Sequence, residues 1–158
     1  MLDDIDARIL KVLDHEPRAT VQYIAEATRT ARGTVYARLS RLKEQDAVES
    51  VTARLRPKIL GLPLRVMVTA DVDQHDFEGM IDDLSKIPEV VECLGISGQS
   101  DMHIEIAARD ADDVYRISQE IMSCRGIRRT ASALVLRELM PRRHVQLLDA
   151  LAEKPHGK

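Results

Sequence analysis

Apolar residues over the first 45 positions recur at helical spacing in three short groups. Ile5, Ile9, Val12 and Leu13 form one stripe, with Asp3 placed as its N-cap, Leu2 before it and Pro17 closing it. Thr20 opens a second, short helix whose inner face is Val21, Ile24 and Ala25. After Thr28-Arg29, Thr30 is expected to cap a third, with Val35, Leu39 and Leu42 spaced i, i+4, i+7. The second helix cannot bury its apolar face alone. Three short helices packed together, the last two joined by a tight connection, predict a helix-turn-helix core.

The pattern then changes period. Val48 to Leu55 is β-prone and reads as a connecting strand, followed by a hinge at Pro57 and Gly61-Leu62-Pro63. Leu64, Val66, Val68, Ala70 and Val72 alternate as a strand does. Phe77, Ile81 and Leu84 return to helical spacing, and Val90 to Ile96 is a short apolar run. A turn at Ser97-Gly98-Gln99-Ser100 leads into the alternating Met102, Ile104 and Ile106. Val114, Ile117 and Ile121 mark another helix, and Ile127 to Leu139 reads as a long strand stopped by Pro141. His144 to Leu151 suits a small helix, and residues 153–158 a loose tail.

The order β-α-β-β-α-β is the ferredoxin-like arrangement, so the fold class is α+β. It divides the chain into a helix-turn-helix over residues 1–47, a connecting strand and hinge over 48–62, a ferredoxin-like domain over 63–140, and a C-terminal helix and tail over 141–158. Two helices would cover one face of a four-stranded sheet. Met67, Val91, Cys93 and Leu134 are assigned to the other face, too apolar to leave in water, which predicts a homodimer through these sheets.

Composition narrows the function. With 44% hydrophobic and 31% charged residues among 158, the chain reads as a soluble globular protein. No apolar run approaches the roughly 20 residues that span a bilayer. The start, MLDDIDARIL, lacks the basic-then-apolar order of a secretion signal, and Cys93 and Cys124 are isolated, so a reducing cytoplasmic setting is expected. There is no Ser/His/Asp or Cys/His motif, no glycine-rich phosphate loop and no HExxH. No catalytic residue, metal site or cofactor is expected.

The net charge of −3 argues weakly against nucleic acid, but its distribution reverses that. Between Thr28 and Lys43 there is no acidic residue, while Arg29, Arg32, Arg38, Arg41 and Lys43 are all basic. Charge alone fits a solvated helix face equally well. With Val35, Leu39 and Leu42 inward, the opposite face holds Gly33, Ala37 and Ser40, with Thr34 and Arg41 beside them and Arg32 and Tyr36 at the flanks. Small residues there let a helix approach base edges in a major groove. Thr34, Tyr36, Ser40 and Arg41 are the candidates for reaching bases in double-stranded DNA, and Arg32 and Arg38 for phosphates. Arg38 could instead pair with an acid of the first helix, and Tyr36 could pack on the connection.

The run Leu2-Asp3-x-x-Asp6-x-x-Ile9-Leu10-x-x-Leu13, with Arg18 and Ile24-Ala25, resembles the Lrp/AsnC (feast/famine) regulators, as does Thr34-Val35-x-x-Arg38-Leu39-x-x-Leu42. The second domain matches in order, and Gly98-Gln99-Ser100-Asp101 falls at the family's Gly-x-x-Asp hairpin. The resemblance covers about residues 2–139. It implies a winged-type helix-turn-helix joined to a ligand-responsive domain, dimers assembled into discs that are often octameric, and a small-molecule effector such as an amino acid. It places the effector near Gly98, Gln99, Ser100 and Asp101, with Thr130 and Ser132 as further candidates. Asp101 could hold an amino group, or the hairpin could need Gly and Ser for its turn and Asp as a cap. Two departures stand out: Arg29-Thr30-Ala31 replaces the usual Gly-Leu-Ser turn, and Asp46 a small residue after the third helix. The two-domain plan also resembles sirohaem decarboxylase subunits, an alternative in which His103 would act near a tetrapyrrole.

Overall fold

A computed structural model describes residues 2–45, 47–48, 50 and 52–152. Asp46 and the tail from 153 to 158, both singled out in the sequence, lie outside the described residues. The chain divides into two compact units, Met1–Ala53 with Met140–Lys158, and Arg54–Leu139.

In the first unit, α1 (Asp4–His15) starts at a reciprocal cap. Asp3 accepts from the Asp6 amide, and the Asp6 side chain accepts from the Asp3 amide, each at 3.0 Å. Thr20 caps α2 (Val21–Thr28) by accepting from the Tyr23 amide at 3.2 Å. Ile9, Ile24, Ala25 and Val35 form the buried centre, with Ile5, Val12, Leu13, Val21 and Leu39 packed around it. The third helix, α3 (Arg32–Glu44), corrects the capping expectation. Its N-cap is Ala31, with no side-chain cap, while the Thr30 amide donates to Ala25 O at 2.9 Å and so closes α2. Arg29 ends α2 in the left-handed region at φ 51°, alone in this among the described non-glycine residues. A side chain there costs about 1–2 kcal/mol, which glycine would avoid. The last helix, α6 (Val145–Ala152), packs on α1, with Lys11 Nζ 2.5 Å from Asp149 Oδ1.

The strand expected over Val48 to Leu55 is absent among the described residues. Thr52–Arg54 and Pro57–Leu60 are 3-10 turns instead, the latter closed by Gly61 at φ 81°. β-branched residues fit a pleated surface, but here no neighbouring strand supplies a ladder.

The second unit is an antiparallel sheet of β1 (Leu64–Val72), β2 (Val90–Gly95), β3 (Met102–Ala108) and β4 (Ile127–Leu134), ordered β2-β3-β1-β4. One face carries α4 (Phe77–Leu84) and α5 (Ala111–Ser123). Val66, Val68, Ala70, Met102, Ile104 and Ile106 pack there against Met80, Leu84, Ile117 and Ile121. The arrangement is the expected α+β one, with several side chains relocated. Directly paired residues share a face. Cys93 pairs with Ile104 and Leu134 with Val66, so both lie on the helix side rather than the open one. Met67 does face outward, beside Thr69 and Glu105, and Arg65 grips Glu105 in a two-pronged pair at 2.7 and 2.6 Å. The open face thus mixes Arg65, Thr69 and Glu105 with the apolar Met67 and Leu94, and Val91 is 53% exposed.

Two further corrections have simple causes. The inward stripe of α4 is Met80 and Leu84, leaving Phe77 48% and Ile81 38% exposed. The last strand ends at Leu134, and only the Val135 amide continues it, to Arg65 O at 2.9 Å. Beyond that point β1 offers only Leu64, preceded by Pro63, which has no amide to donate, and Leu136 and Leu139 stand exposed.

Met80→Ala is expected to lower unfolding stability by about 2–5 kcal/mol and Phe77→Ala by less than about 1 kcal/mol. Urea unfolding of the two variants checks it, and equal losses would contradict it.

Candidate DNA interface and effector cleft

The outer face of α3 is built from small and unpaired residues. Arg32, Gly33, Tyr36 and Ala37 are exposed, and Thr34, Arg38, Ser40 and Arg41 are partly so. A Cβ added at Gly33 would meet nothing within 4 Å. Tyr36 is 67% exposed, so it does not pack on the connection. Arg29, Arg32 and Lys43 are exposed, and no hydrogen bond or ion pair to a described residue engages their side chains.

The other two arginines of α3 turn inward. The Asp6 carboxylate is fully buried in the unit and receives Arg41 Nη2 at 2.5 Å and Arg38 Nη1 at 3.2 Å. Arg38 Nη1 also donates to Asp3 Oδ2 at 2.5 Å. The donated Asp6 amide, helped by the Arg38 guanidinium, holds the Asp3 carboxyl down at about 2. The sequence expectation gave Arg41 to bases and Arg38 to phosphates or an acid of the first helix. The structure ties both to that helix. Asp6 was not among the candidates, although its place three residues after the N-cap was a readable signal. Lys43 was passed over because it flanks the apolar stripe of α3, and Arg29 because it precedes that helix.

In the second unit the loop between β2 and β3 is shaped by backbone requirements. Gly98 sits at φ 144°, which only glycine adopts easily. The Ile96 amide donates to Asp101 O at 2.9 Å, and the Asp101 amide to Ala70 O at 3.1 Å. Strand β1 runs on past the start of β3, and Asp101 Oδ2 accepts the Val72 amide at 3.0 Å in place of a missing strand carbonyl. Asp101 is thus a cap, yet it remains exposed and its carboxylate has further acceptor capacity. Beside it lies a cleft of about 350 Å³ lined by Val72, Phe77, Ile96 and Asp101.

Of the other effector candidates, Gly98 and Gln99 are exposed in the loop and Ser100 is half-buried. Thr130 stands opposite Ala70, at the same end of the sheet but across β1, and Ser132 opposite Val68 lies two residues further away. Val72, Phe77 and Ile96 are the lining that the sequence reading missed, since a strand, a helix and a hairpin meet only in the fold. His103 pairs with Thr69 and Leu94 on the open face, whereas Met102, next to Asp101, points to the helices. Among the described residues no group of His, Cys, Asp or Glu is arranged to hold a metal ion, and no helix is long and apolar enough to cross a membrane.

Comparison with known proteins places both units. The sequence model of the AsnC-type helix-turn-helix domain matches residues 2–43, and that of the Lrp/AsnC ligand binding domain matches residues 65–145. The HTH-type transcriptional regulator FL11 of Pyrococcus horikoshii is 27% identical over 136 residues, covering 86% of this chain and 90% of its own. The transcriptional regulatory protein DoeX of Halomonas elongata is 29% identical over 141 residues, 85% and 87% of the two chains. Escherichia coli AsnC superimposes with a TM-score of 0.81 at 20% identity, over 92% of this chain and 99% of that one. A transcriptional regulator from Neisseria meningitidis, solved as its L-Met complex, gives 0.78 at 24% identity, over 89% and 94%. These two structures share the fold.

Two variants probe the buried carboxylate and its neighbour. Asp6→Asn lowers the stability of the helical unit by about 2–3 kcal/mol, less than a fully buried pair because Arg38 and Arg41 reach solvent; a loss under about 0.5 kcal/mol in thermal unfolding would refute this. Asp3→Asn keeps the cap but removes a carboxyl whose folded value is lowered to about 2. Such a group stabilises the fold above its unfolded value and loses that contribution as pH falls through the folded one. Acid titration of stability between about pH 4 and pH 2 is therefore shallower in the variant, and parallel curves would count against it.

Proposed function

Because the chain belongs to the Lrp/AsnC family of transcriptional regulators, we propose that α3 lies in the major groove of double-stranded DNA with Gly33, Thr34, Tyr36, Ala37 and Ser40 toward the bases. The protein is a DNA-binding regulator with a ligand-binding C-terminal domain. The observation that carries the reading is the outer face of α3, which has no acid from Arg32 to Lys43 and is small at its centre, with Arg32 unpaired at its edge and the one acid of α3, Glu44, at its last position. Arg32 contacts phosphate. Arg38 and Arg41 act through Asp6, fixing the angle at which α3 leaves α1.

The effector is a small molecule with an amino group, an amino acid being the first class to try. It binds at Gly98, Gln99, Ser100 and Asp101, with Thr130 and Ser132 reached from β4. Asp101 accepts the ammonium group in a charge-assisted hydrogen bond, and loop amides hold a carboxylate. The Neisseria meningitidis regulator with bound L-Met supports this class. The sheet domain makes a homodimer, and dimers an octamer, in the cytoplasm; exposed Leu136 and Leu139 support burial against another chain. Effector binding changes DNA affinity only so far as it favours one assembly over the other.

Fluorescence anisotropy against DNA from upstream of the gene, with and without a pool of amino acids, tests the reading. Tyr36→Ala is expected to lose about 1–3 kcal/mol on the tightest sequence and far less on scrambled DNA. Asp101→Asn, which still caps the Val72 amide, should bind DNA as the parent does and lose the response to the pool. Equal losses on every sequence would remove Tyr36 from the base-reading set, and an intact response would return Asp101 to a purely structural role.

A further inference from the structure

The chain leaves the sheet unit at Leu139, and residues from Met140 onward belong to the compact unit of the helix-turn-helix. The return is held by α6 on α1 and by the Lys11–Asp149 pair at 2.5 Å.

Charge gives the return a purpose. Residues 1–53 hold eight Lys and Arg against nine Asp and Glu, a balance of −1 that does not attract a polyanion. Residues 140–158 bring four Lys and Arg against two acids, so the whole unit becomes +1. Part of that gain is concentrated in one place. Arg142, Arg143 and His144 stand together just before α6, every residue from 141 to 144 is exposed, and no acid occurs between Glu138 and Asp149. The side chains of Arg143 and His144 have no hydrogen bond or ion pair to any described residue. Asp149, the acid that does occur in α6, is already neutralised by Lys11.

We propose that Arg142, Arg143 and His144 form a second DNA contact, a basic arm that grips the phosphate backbone beside the site read by α3. This rests on the DNA-binding reading above and extends it to a part of the chain outside the helix-turn-helix. The arm reads no bases. It adds affinity that is uniform across sequences and sensitive to salt, because each phosphate neutralised releases condensed counterions. Its guanidiniums lie in the segment that leads directly into α6, which packs on α1, so the arm is tethered to the helix-turn-helix unit without being part of the reading helix.

The test is the slope of log affinity against log salt, measured by anisotropy with the full-length protein on specific and scrambled DNA. Arg143→Ala is expected to flatten the slope by about 0.9 on both sequences, and Arg142→Ala with Arg143→Ala by up to about twice that. Arg143→Lys should restore the parent slope. Arg137→Ala, which removes an exposed charge from the sheet unit, should leave it unchanged. Circular dichroism melts of each variant confirm that α6 is still docked. A parent slope retained by Arg143→Ala, or an equal flattening by Arg137→Ala, would overturn the arm while leaving the regulator intact. A parent protein with no salt-dependent binding at all would overturn both.

Discussion

One buried carboxylate organises the DNA-binding unit. Asp6 is sealed from solvent, and two guanidiniums from α3 and one backbone amide converge on it. A carboxylate taken out of water without partners is costly, so α3 is constrained to the position in which Arg38 and Arg41 reach it. The apolar contacts of Ile9, Ile24 and Val35 supply cohesion but little direction, since hydrophobic burial is non-directional. The ion pair adds the orientation. It also removes two of the cations that a charge count would assign to DNA, so the basic character of α3 is partly internal.

The sheet unit solves a comparable problem with a single side chain. Where β1 outruns β3, an amide would be left without a ladder partner, and the Asp101 carboxylate supplies one. The same group borders the cleft lined by Phe77 and Ile96. Structure and the proposed recognition thus meet at one residue, and replacing Asp101 with alanine would disturb the end of the sheet whatever it does to a ligand. This is why the amide variant, which keeps the acceptor and drops the charge, is the informative one.

Periodicity made most of the fold legible. The helical stripes of α1, α3 and α5 and the alternation in β1 and β3 each place their central residues, Ile9, Val35, Ile117, Val68 and Ile104, in a core. It failed where a local pattern depended on distant neighbours. Val48 to Leu55 has strand composition and no ladder partner among the described residues, and β4 stops at Leu134, close to the Pro63-bounded start of β1, rather than at Pro141. Phe77 looked like core because it shares spacing with Leu84, but Met80 and Leu84 take the inner face. For the candidate site, the loop and the reading helix were visible as motifs. An acid of the first helix was an open alternative for Arg38, but the choice of Asp6, and its pairing with Arg41 as well, was not legible, since 32 and 35 positions separate the partners. Nor was the return of the C-terminal segment to α1, which leaves no trace in spacing.

The outer surface of α3 takes no part in what holds α3 in place. Gly33 opens onto empty space, and Ala37 and Tyr36 project away from the core. New side chains at these positions meet neither the Asp6 pair nor the apolar centre. A duplicated gene could therefore drift at a handful of codons and alter whatever this face meets while its product folded as before. Diversity on this face would then come at little thermodynamic penalty, because the buried acid that sets α3 in place is left untouched.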